Sequence, residues 1–128
     1  MKATKKISVV LAVYNEEAIL KNSLKVIYDY ISGINKYDWE VIIVNDGSKD
    51  NSGNIADQFA KNKKNVKVFH HLLNLNLGNA LKTGFSNSTG DFVVTFDIDL
   101  SYSTDHIEKL LDTIEITQAD IVLASPYM

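Results

Sequence analysis

The sequence predicts one α/β domain with a Rossmann-like, mainly parallel sheet and helices on both faces. Short runs rich in β-branched and aromatic residues alternate with segments of helical period. The runs are almost continuously apolar, which is typical of strands buried on both faces. Strict alternation of strand and helix requires right-handed crossovers, and these place the strands in parallel. A chain of 128 residues that is 45% hydrophobic is long enough for one such core.

The elements follow one another without a repeat or a linker, so residues 1–128 are expected to form a single domain. The apolar runs predict strands at 7–13, 40–45, 66–70, 91–96 and 120–125. Apolar stripes of helical period predict helices at about 16–32, 51–62 and 104–117. A fourth, short helix is marked by Ala80, Leu81 and Phe85 and is expected to be interrupted by Gly84.

Composition excludes several classes of function. The net charge is -3 and the charges are interspersed, so no basic stripe is available for a nucleic acid. The absence of cysteine excludes disulfides, thiolate catalysis and zinc-thiolate sites, and it fits a reducing, cytoplasmic location. No apolar stretch approaches the roughly 20 residues that span a bilayer. Membrane contact is therefore expected only through the surface, at the cytoplasmic face, or through sequence outside this chain.

Polar residues follow every predicted strand. Ligands of open parallel sheets bind beyond the carboxyl ends of the strands, where these residues would meet. The polar segments are 14–17, 45–48, 70–74, 97–99 and 125–127. Their convergence predicts a single site at this edge. The two histidines of the third segment, His70 and His71, are expected to have surface or capping roles, since the histidines are too scattered for a metal site.

The stretch FDIDLS contains two candidate metal ligands, Asp97 and Asp99. Alternation along an extended chain places both side chains on one side and Ile98 on the other. Two carboxylates about 5 Å apart repel by roughly 3 kcal/mol at an effective dielectric near 20, and a bound cation reverses this cost. Oxygen ligands favour Mg²⁺ or Mn²⁺ together with substrate phosphates. The alternative is a solvated strand end that caps the next helix.

Asp46 ends the second apolar strand and is the candidate ligand for a nucleobase amide or a ribose hydroxyl. Gly47 permits a positive φ, while Ser48 and Asp50 are expected to serve an ordinary strand-to-helix turn. Neither of the common glycine-rich phosphate-binding motifs occurs in the chain. The charge of a diphosphate would therefore need another partner, which a metal at the paired aspartates supplies.

Five segments, in this order and spacing, resemble the family 2 glycosyltransferases of the A-type fold, and especially the branch with the dolichyl-phosphate mannose synthases. They are VVLAVYNEEAIL, VIIVNDGSKDNS, NLNLGNALKTGF, FVVTFDIDLS and DIVLASPY. The resemblance covers nearly the whole chain and implies the nucleotide-binding half of that fold. It departs from the usual pattern at Ala12, Asn76 and Thr104, none of which is a proposed metal ligand. Asn76 tolerates a left-handed backbone and is expected to preserve its loop.

The resemblance also implies roles for individual residues. Asp97 would serve the ribose or the metal, and Asp99 the metal on the diphosphate. Lys82 would either assist the phosphates or be a solvated helix lysine. The nucleoside pocket would be lined by Tyr14, Asn15, Glu16 and Asp46, with Asp46 at the base. The loop and helix approaching the nucleotide would contain Asn74, Gly78, Ala80 and Gly84.

The implied reaction is inverting transfer of a sugar from a UDP- or GDP-linked donor, with polyprenyl phosphate as a candidate acceptor. No residue of the chain can be assigned as a general base, and the domain is expected to be truncated before the acceptor-binding part. The chain should then bind donor and metal but turn over poorly by itself. Two alternatives remain open: a non-catalytic nucleotide-binding module and a response-regulator receiver. The receiver would need an acceptor aspartate after the third strand, where this chain has His70 and His71.

Overall fold

The computed structural model describes residues 4–123, which form four parallel strands and four helices in strict alternation. The strands are β1 (Lys6–Val13), β2 (Asp38–Asn45), β3 (Val66–His70) and β4 (Phe92–Thr95). The helices are α1 (Leu20–Ser32), α2 (Ser52–Ala60), α3 (Leu77–Ser86) and α4 (Asp105–Thr117). The strand order is β3-β2-β1-β4. The predicted Rossmann-like α/β fold is confirmed. None of these helices is both long and apolar enough to cross a bilayer.

Helices cover both faces of the sheet because β1 and β2 are apolar on both sides. On one face, Val10, Ile42 and Val44 form a core with Ala80 of α3. On the other, a larger core joins the remaining side chains of these strands to helices α1, α2 and α4. All the strands run in the same direction, so their carboxyl ends, and the polar segments that follow them, share one edge.

No strand forms at residues 120–123, so the prediction of a fifth strand at 120–125 is wrong there; residues 124–125 lie outside the described part of the chain. An open cavity of about 530 Å³ lies between this segment, β4 and α4. Among the described residues, β4 pairs with β1 alone, and residues 120–123 add no strand beside it. Ile121 and Leu123 consequently remain 76% and 82% exposed.

Helix α1 begins at Leu20, four residues later than predicted. The backbone N–H groups of Glu16 and Glu17 donate to Ser52 Oγ, at the start of α2, and to Asp50 Oδ2, in the loop before it, at 2.8 and 3.1 Å. These contacts hold the preceding segment against the neighbouring loop, and the helix starts only after it. Helix α3 is continuous through Gly84, contrary to the predicted interruption.

A buried carboxylate stabilises the edge of the sheet where the amino ends of the strands lie. Glu40 is only 2% exposed, and its Oε2 accepts hydrogen bonds from Ser8 Oγ at 2.5 Å and from the Thr89 backbone N–H at 2.6 Å. Lys6 Nζ lies 3.5 Å from Oε1. Burial by itself raises the pKa of Glu40, but the hydrogen bonds from Ser8 and Thr89 and the charge of Lys6 outweigh burial and lower the pKa to about 2.

Glu40→Gln is expected to lower the free energy of unfolding at pH 7 by about 2 kcal/mol, because neutral acceptors bind these donors more weakly than a carboxylate. The folded pKa lies below the unfolded value of about 4.3, so the stabilisation is present above that value. It is lost as the pH falls towards 2. Urea unfolding at pH 7 and pH 3 should show the variant's deficit shrinking in acid. Glu108→Gln, at a side chain that is 40% exposed, is the control, and a Glu40→Gln protein as stable as the parent at pH 7 would contradict this account.

Candidate functional site

The loops after β1 and β2 are joined by side chain to backbone hydrogen bonds. Asn15 adopts a φ of +50°. Its backbone N–H donates to Ser48 Oγ at 3.0 Å, and its Oδ1 accepts from the backbone N–H of Lys49 at 2.8 Å. Ser48 and Asp50 therefore serve the turn, as expected from the sequence. Asn15, expected to line the nucleoside pocket, uses its side chain to hold the two loops together.

Gly47 allows the loop after β3 to close over the end of β2. Its φ is +71°, and a Cβ added here would overlap the backbone of Leu73 and Asn74. Any larger residue would combine an unfavourable backbone conformation with a collision against main-chain atoms. The glycine thus brings residues 71–75 onto Asp46.

Asp46 is 3% exposed and is held by hydrogen bonds from that loop. Its Oδ1 accepts from His71 Nδ1 at 2.7 Å and from the backbone N–H of Leu75 at 2.9 Å. Its Oδ2 accepts from Asn74 Nδ2 at 3.1 Å. The carboxylate predicted to contact a ligand is therefore also the residue that fixes the position of the third polar segment.

The consecutive histidines at the end of β3 point to opposite faces of the sheet. His70 bridges Asn45 of β2 and Asp57 of α2. Its Nδ1 lies 3.0 Å from Asn45 Nδ2, and its Nε2 lies 2.9 Å from Asp57 Oδ1. His71 bridges Asp46 and Thr83 of α3, the second contact being 2.8 Å between Nε2 and Oγ1. The side chain of His71 is only 11% exposed. The surface role expected for His71 is wrong, because its partners are distant in sequence and no local pattern points to them.

A cavity of about 270 Å³ opens where the polar segments converge. Tyr14, Glu16 and Asp46, all predicted for one pocket, line it together with Asn74. Its apolar walls are formed by Ala12, Val13, Leu77 and Ala80. Leu77 is a wall residue that sequence reasoning missed. The larger cavity beside β4 has mainly apolar walls and lies away from this convergence, although Asp97 is among its lining residues.

Helix α3 begins beside this cavity with an unusual cap. Asn76 has a φ of +78°, and its Oδ1 accepts from the backbone N–H of Asn79 at 3.2 Å. Asn76 thus adopts a positive φ, and its side chain caps the helix. Gly78 is exposed in the first turn, where a Cβ would meet nothing closer than Asn76 Oδ1 at 3.5 Å. Lys82 lies on the exposed side of α3 and does not line the cavity.

Asp97 and Asp99 are both exposed, and Ile98 between them is buried, but the chain here turns and is not extended as predicted. They lie beyond the end of β4, in a turn closed by the Leu100 N–H donating to the Asp97 carbonyl at 3.2 Å. Ser101 contacts one oxygen of each: its N–H donates to Asp99 Oδ1 at 3.0 Å and its hydroxyl to Asp97 Oδ2 at 3.4 Å. One oxygen of each aspartate keeps its lone pairs free of hydrogen bonds from residues 4–123.

Negative charge accumulates at this edge. The pKa of Glu16 is raised by burial and then by the charges of Asp99 and Asp50. Residues from the ends of β1 and β4 therefore interact electrostatically. Within residues 4–123 no group of three acidic, histidine or cysteine side chains could hold a metal alone. Two aspartates with free oxygens fit Mg²⁺ or Mn²⁺, which complete their coordination with water and phosphate oxygens.

Comparison with known proteins places these features in a family. The sequence profile of the family described as glycosyl transferase family 2 matches residues 8–128. The glycosyltransferase AglD of Haloferax volcanii is 32% identical over 123 residues, which are 95% of this chain and 20% of that protein. The chain thus spans about a fifth of this curated relative.

Solved structures share the fold. The mannosyltransferase PcManGT of Pyrobaculum calidifontis, in complex with GDP-Man and Mn²⁺, aligns with a TM-score of 0.73 at 22% identity, covering 88% of this chain and 33% of that one. The glucosyl-3-phosphoglycerate synthase of Mycobacterium tuberculosis, in complex with Mn²⁺, UDP and glucosyl-3-phosphoglycerate, aligns at 0.67 with 25% identity. That alignment covers 86% of this chain and 39% of the synthase chain.

Proposed function

Since this chain belongs to glycosyltransferase family 2, we propose that it binds a UDP- or GDP-linked sugar donor together with a divalent metal ion. The observation that carries the proposal is the cavity at the carboxyl edge of the sheet, which joins Tyr14, Glu16 and Asp46. The synthase of M. tuberculosis, at 25% identity, has been solved with both UDP and Mn²⁺. That complex supports a nucleotide as the occupant.

Different residues around the cavity would contact different parts of the nucleotide. Asp46 binds the base, and Tyr14 and Glu16 border the nucleoside. Asn15 would support this pocket by holding the loop that contains both residues. Gly78 lets the donor approach the start of α3, because no side chain extends from it. Lys82 would supply positive charge to the phosphates from the outer side of the same helix.

Asp97 and Asp99 would hold Mg²⁺ or Mn²⁺ through their free oxygens. The metal, when bound, supplies positive charge that stabilises the diphosphate leaving group. Asp97 and Asp99 are catalytic residues in this sense. The charge of Asp99 helps to raise the pKa of Glu16, and a cation held at Asp99 would relieve this repulsion.

For the whole protein we propose an inverting transferase of the dolichyl-phosphate mannose synthase-like branch, acting at the cytoplasmic face of a membrane. A polyprenyl phosphate acceptor is already ionised, so its attack does not depend on a general base. This chain would supply the donor-binding part, with the acceptor bound elsewhere in the protein. A non-catalytic nucleotide-binding module is the alternative, and it would retain donor affinity without hydrolysis or transfer.

Thermal unfolding with UDP-glucose or GDP-mannose, each with MnCl₂ or with EDTA, tests the proposal. A donor at about one hundred times its Kd should stabilise the fold by about 2.7 kcal/mol, which raises the Tm by several degrees. We expect this shift with Mn²⁺ and at least one donor, and a much smaller shift in EDTA. Equal shifts with and without metal, or no shift with either donor, would contradict the proposal. Release of free sugar separates a turning-over enzyme from a binding module.

A further inference from the structure

Three of the four lone-pair positions of the Asp46 carboxylate are already occupied. An ionised carboxylate offers about four such positions on its two oxygens. Oδ1 accepts from His71 Nδ1 at 2.7 Å and from the Leu75 N–H at 2.9 Å, which together use both of its positions. Oδ2 accepts from Asn74 Nδ2 at 3.1 Å, which leaves one position. A ligand in the cavity lined by Asp46 therefore meets a carboxylate with a single remaining acceptor position.

The hydrogen-bond partners of His71 determine how the ring is protonated when it is neutral. Asp46 can only accept, so Nδ1 carries the proton and donates it to the carboxylate. Nε2 is then the acceptor for the Thr83 hydroxyl at 2.8 Å. With one nitrogen bound to Asp46 and the other to Thr83 of α3, the ring is held in place, and it occupies one of the two acceptor positions of Oδ1.

We propose that His71 is a positioning residue that sets the nucleobase preference of this site, and that the preferred base is uracil. The inference rests on the proposed function and extends it. Uracil presents one imide N–H at the edge a carboxylate reads, which matches one remaining acceptor position. Guanine presents two adjacent N–H donors, which pair best with both oxygens of a carboxylate. With both positions of Oδ1 taken by His71 and the Leu75 N–H, one guanine donor would be left without that partner, at a cost of about tenfold or more in affinity.

Loss of His71 would release this constraint without touching the metal site. In His71→Leu, Oδ1 keeps the Leu75 N–H and gains one free position, so each oxygen of Asp46 could accept one donor from a base. In His71→Asn, the amide nitrogen occupies nearly the place of Nδ1 and can still donate to Oδ1. Thr83→Val removes only the contact at Nε2 and should have an intermediate effect.

Calorimetric titration of the 128-residue chain with UDP, GDP and inorganic pyrophosphate, each with Mn²⁺, tests the proposal. We expect the parent to bind UDP at least about tenfold more tightly than GDP, and the ratio to approach one in His71→Leu. His71→Asn should keep most of the preference. Pyrophosphate affinity should be the same in all variants, whereas a merely structural role for His71 would weaken every ligand together.

The outcomes separate this inference from the proposed function. If the parent binds neither nucleotide, both are wrong. If the parent binds GDP as tightly as UDP, or if His71→Leu keeps the parental ratio, only the assignment of His71 is overturned. If His71→Leu does not fold, the other two variants still decide. Either an unchanged preference for UDP over GDP in Thr83→Val or a lost preference in His71→Asn would contradict the proposal.

Discussion

Gly84→Ala is expected to lower the free energy of unfolding by about 2 to 3 kcal/mol, although alanine is the better helix former. Gly84 is buried in α3 above β1, and a Cβ at this position would overlap Val10 Cγ1 and lie 3.2 Å from Cγ2. Val10 is fully buried in the central strand and has no room to move. The added methyl group must push α3 away from the sheet. This helix follows the loop of residues 71–75, which lies over Asp46 beside the smaller cavity.

Shortening the opposing side chain should relieve the collision. Val10→Ala alone should destabilise the fold by creating a cavity, but Gly84→Ala combined with Val10→Ala should be more stable than the sum of the single effects predicts. Gly78→Ala in the same helix is the matched control, since its Cβ would contact only Asn76 Oδ1 at 3.5 Å. Urea unfolding of the four variants provides the comparison. Additive effects, or a Gly84→Ala protein as stable as Gly78→Ala, would show that α3 does not depend on this contact.

The sequence predicted what depends on local pattern. Apolar runs and helical stripes located the four strands and four helices of residues 4–123. Strict alternation also predicted the parallel order and brought Tyr14, Glu16 and Asp46 to one edge. These inferences succeed because backbone periodicity and crossover handedness do not depend on the details of packing.

What the sequence did not predict depends on contacts between distant residues. Gly84 was predicted to interrupt α3, yet the helix continues through it and packs so tightly on β1 that a Cβ would overlap Val10. His71 reads as a surface residue, yet it joins Asp46, 25 positions away, to Thr83, 12 positions away. Residues 121–123 read as a strand, yet they do not pair with β4. In each case the deciding partner comes from another element of the fold.

Asp99→Asn is expected to weaken metal-dependent donor binding by at least about hundredfold, because even the loss of an outer hydrogen bond to a metal ligand costs 10- to 100-fold. The substitution replaces a charged oxygen ligand by a neutral amide of almost the same shape. Asp99 is exposed, so the fold should not depend on its charge. The substitution should instead relieve the repulsion between residues 99 and 16, since the charge of Asp99 raises the pKa of Glu16. Weaker donor binding would then reflect the lost metal ligand.

The most direct test of the central claim is calorimetric titration of UDP- and GDP-sugars into the parent chain and Asp99→Asn, with Mn²⁺ and with EDTA. Asp29→Asn, an exposed aspartate on α1 paired with Lys25, is the control for the loss of one negative charge. We predict that at least one donor binds the parent and Asp29→Asn only when Mn²⁺ is present, and that Asp99→Asn binds it no better than either protein does in EDTA. Donor binding that is independent of metal, or unchanged in Asp99→Asn, would contradict a metal-dependent donor site at Asp97 and Asp99.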